Sequence, residues 1–257
     1  DFEVRKNDGG IFGALAGVLT LGATNINPED DDKKVKVWAT ISIPVAMFFH
    51  AYVGFLMVGM GAMPLWNTPI LLVMFLISAL VSGVGAAVLL YMMRQKIVGD
   101  KIDYSILKVP VILMAVFAGV DLFLIFIELV TEFYWNTEHW ALIAGALAYN
   151  STAMAIEMGG LLFILIYGFM SAGGLSGGNT FVLTVVSLVA VYSARCVMVI
   201  PAQMIDKGGY GLVEPVIHMS GREWLLEVLA LFCWATFLFL VFISIAGWKS
   251  KFEHTHA

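Results

Sequence analysis

Residues 44–83 read PVAMFFHAYVGFLMVGMGAMPLWNTPILLVMFLISALVSG. Two long apolar runs are joined there by a very short turn, in which Trp66 and Asn67 stand between Pro64 and Pro69. A helix needs about 20 predominantly apolar residues to cross a hydrocarbon core of about 30 Å, and each run is long enough. The turn leaves room only for antiparallel, adjacent helices. The stretch therefore reads as a membrane hairpin that carries a few isolated polar groups, His50 and Tyr52 among them.

The rest of the chain has the same character. Of its 257 residues 60% are apolar and only 13% charged, and the mean hydropathy is +0.90. These values lie outside the range of soluble domains and place the chain among all-α proteins, as a polytopic transmembrane helix bundle in a lipid bilayer. The formal charge of −5, with no basic stripe outside the loops, argues against nucleic acid as a partner. Cys196 and Cys233 both sit in apolar runs outside any CxxC, so they fit no iron–sulfur or zinc pattern and read as packing residues. The glycine-rich GGLSGGN at 173–179 lacks the Lys-Ser/Thr of a phosphate loop.

In chain order, residues 11–24 form an apolar run of fourteen. At 1.5 Å per residue it reaches about 21 Å, too short to span, and it lacks the flanks of a signal peptide. It reads as half of a helix whose beginning lies upstream. The charged PEDDDKKVK at 28–36 reads as a solvated linker. Six full spans follow, over 37–62, 69–94, 106–133, 140–170, 180–202 and 223–248. The chain thus divides into a partial helix with a charged linker (1–36), a transmembrane helical domain (37–248) and a polar tail (249–257). Ser78, Ser82, Gly85 and Ala86 form a stripe of small residues suited to close helix packing. Alternating the loops gives one side Lys33, Lys34, Lys36, Arg94, Lys96, Lys101, Lys108, Lys249 and Lys251, and the other only Lys207 and Arg222. By the positive-inside rule the Lys33 linker and the C-terminus are expected to be cytoplasmic.

Ionisable groups at membrane depth cost about 2.5–3.5 kcal/mol or more each when charged and uncompensated. Asp121 and Glu128, seven residues apart, share one face of the third span. Asn150 and Glu157 repeat the spacing on the fourth, and Arg195 is the cation available to them on the fifth. One reading is a proton path or polar pocket between helices. The other is a set of structural ion pairs, Arg195 with Glu157 or Asp121. His50 is suited either to ligand contact or to a neighbouring backbone carbonyl. The remaining histidines lie in loops or the tail, so no histidine pair for a transmembrane haem is present, and no metal site is expected. Tyr52 lies about 200° around the helix from His50, so the two cannot face one neighbour squarely.

The motifs His50-x-Tyr52-x-Gly54, Pro64-x-Trp66-Asn67-x-Pro69 and Phe75-Leu76-x-Ser78-Ala79-x-x-Ser82-Gly83 resemble the signature of the NrfD/polysulfide reductase family of integral membrane subunits. Arg195 in YSARCVMVIPAQ is similar to the family's late-helix arginine, with Pro201-Ala202 in place of its usual glycines. The further span opened by GREWLLEVLALF resembles the longer, ten-helix members found with menaquinone-linked hydrogenases, sulfite reductases and alternative complex III, and implies that some three helices precede this sequence. The resemblance implies a quinone-reactive anchor of a respiratory oxidoreductase in a prokaryotic inner (cytoplasmic) membrane. It further implies menaquinone or ubiquinone as ligand, a ferredoxin-like iron–sulfur subunit and other respiratory subunits as partners, and no haem or iron–sulfur cluster on this chain. By the same resemblance His50 and Tyr52, with Trp66 and Asn67 in the turn, border the quinone, while Asp121, Glu128, Asn150, Glu157 and Arg195 are proton-path or ion-pair positions. A structural or proton-conducting anchor without its own quinone site stays open, as does an ion or solute transporter, although no internal repeat is evident.

Overall fold

The computed structural model describes residues 28–61, 63–99, 101–135, 137–206, 211–213, 230 and 233–234. They form six helices: α1 (Pro28–Val58), α2 (Ile70–Val98), α3 (Tyr104–Trp135), α4 (Thr137–Tyr149), α5 (Ser151–Ser171) and α6 (Gly177–Met204). All but α4 are long and apolar enough to cross a membrane. Among the described residues the only β pairing is an isolated bridge between Ile205, just after α6, and Leu212. The chain is an all-helical integral membrane protein.

Two expectations are corrected. The stretch 28–36, read as a solvated linker, is the start of α1. Its sequence is in fact in the order of a helix N-terminus: proline first, four acidic residues next, then lysines at i+4 spacing. The fourth span, read as one helix over 140–170, is broken at Asn150 into α4 and α5. At 13 residues α4 is about 20 Å long, too short to cross alone. The second, third and fifth spans match α2, α3 and α6 within about four residues at each end. The run 11–24, the sixth span at 223–248 apart from residues 230, 233 and 234, and the tail at 249–257 lie outside the described residues.

The chain falls into two compact units, one of Ile43–Gln95 with Lys101–Ile217, the other of Asp1–Ser42, Lys96–Asp100 and His218–Ala257. In the first, helix pairs meet at contacts whose residue numbers run in opposite senses. Arg195 of α6 meets Ser78 of α2, and Ser187 meets Gly85. Between α5 and α6, Gly160 lies against Ala190 while Asn150 bonds to the Cys196 carbonyl. Between α3 and α5, Gly168 lies against Ala115 and Gly119 against Leu165. All three pairs are therefore antiparallel. Lipid tails are as apolar as the side chains, so close packing has to replace the hydrophobic drive, and small residues permit it. A Cβ on Gly160 would stand 2.7 Å from that of Ala190, and one on Gly85 would overlap the Ser187 hydroxyl.

Helix α6 is the hub, the most buried of the spans. Leu183, Met114, Leu161 and Ile164, none measurably exposed, form the centre of the core together with Val81 and Val111. The α1 segment of this unit lies beside α2 and keeps most of its apolar side chains exposed, Phe48, Phe49 and Phe55 included.

Candidate functional site

The turn at 59–69 fixes one end of the bundle. Successive backbone bonds from Met63, Trp66 and Asn67 fold it back on itself, and the buried Trp66 donates its indole Nε1 to the Met198 carbonyl at 2.8 Å. Trp66 is thus a brace to α6, whereas the Asn67 side chain is exposed. His50 is also exposed and donates from Nδ1 to the Ala46 carbonyl at 3.1 Å one turn back. That bond satisfies one ring nitrogen within the helix and leaves Nε2 for another partner. Tyr52 faces a different direction, as its angular separation requires. It is the polar residue in a shallow groove lined by Val45, Phe48, Phe49, Phe55 and Leu72. The structure does not bring His50 and Tyr52 together, nor place either against the carboxyl groups of α3 and α5.

Those carboxyl groups do converge. Asp121 is 2% exposed and Glu157 4%, and Arg195 is the electrostatic neighbour of both. The expected ion pair is not what anchors the arginine. Its Nη2 donates to the Ser78 hydroxyl at 2.7 Å and to the Phe75 carbonyl at 3.2 Å. Its guanidinium lies 3.9 Å over the Phe75 ring, and Nη1 approaches the Met198 sulfur at 3.8 Å. All of these partners are neutral. Among the described residues no direct ion pair joins Arg195 to Asp121 or Glu157. The reason is positional: Ser78, in the small-residue stripe, and Phe75 one turn before it sit on the α2 face that packs against α6.

Glu157 and Glu128 line a cleft walled by Leu71 and Met74 of α2, Ile125 of α3, Ile143 and Leu147 of α4, Met154 of α5 and Met198 of α6. Glu132, one turn beyond Glu128, lines it too and was not anticipated, although the i+4 spacing was readable. The Glu128 Oε2 atom is buried with no hydrogen-bond partner. Asn150 donates from Nδ2 to the Cys196 carbonyl at 3.2 Å, which holds the α4–α5 break against α6 beside Leu147 and Met154. Pro201 lies inside α6, and since proline has no N–H to give, the Val197 carbonyl four residues earlier lacks its helical donor. Val197 lines the same cleft. The cleft therefore combines apolar walls with hydrogen-bonding groups at one end of the bundle. Asp121 stands about 11 Å deeper than Glu128 along α3. Among the described residues no group of three His, Cys, Asp or Glu side chains is arranged to hold a metal ion.

No curated protein and no solved structure matches the chain. The model of the family described as polysulphide reductase, NrfD, matches residues 14–206, a stretch that contains the hairpin turn, the carboxyl groups of α3 and α5 and the arginine of α6. A match over so much of the chain agrees with the bundle and with the motifs at its first turn: the protein belongs to the NrfD polysulphide reductase family.

Proposed function

We propose that the chain exchanges electrons between a quinone pool, menaquinone or ubiquinone, and an iron–sulfur partner subunit, with the quinone headgroup held in the cleft between α2, α3, α4, α5 and α6. Family membership makes it a membrane subunit of quinone-linked oxidoreductase complexes. The observation that carries the finer reading is the unpartnered Glu128 Oε2 in an apolar-walled cleft, facing the same space as Glu157. Buried polar atoms are normally paired, so an orphan in an apolar-walled cleft supports a ligand whose oxygens complete the pairing.

A bound quinone supplies two-electron redox chemistry accompanied by two protons. The residues of the chain handle the protons and the fit. Glu128 and Glu157 accept or return a proton at their carboxyl oxygens, since general acid–base groups must lie within hydrogen-bond reach of the reacting oxygens. The leucine, isoleucine and methionine walls exclude water and grip an apolar ring. Trp66 holds the turn against Met198 and so fixes one wall. Tyr52, in its phenylalanine groove, marks the lipid-side approach, and His50 and Asn67 stand exposed where they can serve that approach. By the positive-inside count the cleft opens in the half of the bundle facing away from the cytoplasm, with the Lys33 end of α1 and the C-terminus on the cytoplasmic side of a prokaryotic inner membrane.

The test is quinol-to-dye oxidoreductase turnover in the assembled complex. Glu128→Gln and Glu157→Gln are expected to lower turnover by about 100-fold, the usual contribution of a general base. His50→Ala and Tyr52→Phe are expected to act mainly on KM. Full turnover in both glutamine variants, with assembly intact, would move the quinone site to another subunit and leave this chain as an anchor.

A further inference from the structure

We propose that Ser78 is a positioning residue that parks the Arg195 guanidinium on neutral acceptors of α2, so that Asp121 and Glu157 share one mobile proton. The inference rests on the reading of Glu157 as a proton-exchanging group. The groups facing Arg195 are few. From α2 come the Ser78 hydroxyl, the Phe75 carbonyl and the Phe75 ring. From α3 comes Asp121 and from α5 Glu157. From its own helix comes the Met198 sulfur. Glu128 lies farther along α3 and is a neighbour of Glu157.

One cation is thus the electrostatic neighbour of two carboxyl groups that are both almost wholly buried. An uncompensated charge in such a medium is costly, so the favourable state of the cluster has one carboxyl ionised and the other protonated. Where the proton sits depends on where the cation sits. A guanidinium forked onto one carboxylate holds it ionised and confines the proton to the other, because the bidentate pair is among the strongest side-chain contacts. Docking on Ser78 and Phe75 prevents this. The hydroxyl is oriented for the task, since it donates to the Met74 carbonyl at 2.7 Å and so turns a lone pair towards Arg195. The cation then balances the cluster without choosing between its members.

The experiment combines an infrared pH titration of the protonated-carboxyl band with the pH profile of quinol-to-dye turnover, in complexes carrying wild type, Ser78→Ala or Ser78→Thr. Removing the hydroxyl frees Arg195 to pair directly with a carboxylate. In Ser78→Ala the part of the band from the carboxyl that Arg195 pairs is expected to titrate about 1–3 pH units lower, the usual effect of an adjacent opposite charge, while the other carboxyl keeps its proton, and the acid limb of turnover to move with the paired group. Ser78→Thr keeps the hydroxyl and is expected to follow wild type. An unchanged band and an unchanged acid limb in assembled Ser78→Ala would overturn the inference. The infrared arm needs no quinone: a shifted band in a complex whose turnover ignores Glu157→Gln would uphold Ser78 and overturn the catalytic reading alone.

Discussion

Trp66 and Met198 are 132 positions apart in sequence and joined by a 2.8 Å hydrogen bond from indole to backbone carbonyl. The bond ties the turn between α1 and α2 to α6, and Leu65 and Met198 on either side of it both line the cleft. The first turn of the hairpin therefore sets the shape of a site built mainly by later helices.

Trp66→Phe keeps the aromatic bulk in large part and removes the bond. The expected loss is about 1 kcal/mol of stability, the usual net worth of one such bond, read as a lower melting temperature of the detergent-solubilised complex. A rise in KM for quinol with little change in kcat is expected beside it, because the wall at Leu65 and Met198 loosens.

Gly159 and Gly160 are adjacent in α5 and meet different surroundings. A Cβ at 159 has nothing within 4 Å, whereas one at 160 strikes the Ala190 methyl. Gly160→Ala is expected to force α5 from α6 and cost about 1–3 kcal/mol, as overpacking does. Gly159→Ala is expected to be neutral or to stabilise by up to about 1 kcal/mol through helix propensity. Thermal melts of the two variants side by side check the pair, and equal melting temperatures would contradict the close α5–α6 crossing.

Asp103 precedes α3 and accepts from the Ser105 hydroxyl at 2.7 Å and from the Ser105 N–H at 2.9 Å. The hydroxyl bond first, then the backbone bond, holds its carboxyl below the ordinary carboxylate range. A group whose pKa is lower folded than unfolded adds stability above the unfolded value, and that stability is lost as pH falls through the folded value. Asp103→Ala is therefore expected to lower the melting temperature at pH 7, and the gap to wild type to close as pH is taken well below about 3.9. A gap that persists unchanged in acid would show that the cap acts without its charge.

The positions of the spans were legible because 20-residue apolar runs have few other uses, and the convergence of Asp121, Glu157 and Arg195 followed from the cost of isolated charges in lipid. Three features were harder to see. The Asn150 break lies in a run with no proline, and the nearest glycine, Gly145, is more than a turn away. Its trace is the sequence Asn150-Ser151-Thr152, a helix-start composition inside an apolar stretch. The docking of Arg195 on Ser78 was hidden because sequence reasoning pairs charges with charges, and the competing acceptor is a neutral hydroxyl whose nearness depends on helix register. The helical start at Pro28 was obscured by charge density, though proline, acids and lysines stood in a helix-opening order.

The interruption at Asn150 has a consequence for biosynthesis. Its side chain is held by the Cys196 carbonyl, 46 residues downstream. The insertion machinery meets residues 137–171 before α6 has been made, and so receives one long apolar segment. The bond that holds the break against α6 can form only after α6 enters the bilayer and offers its backbone. A chain stalled between these events leaves Asn150 without that partner.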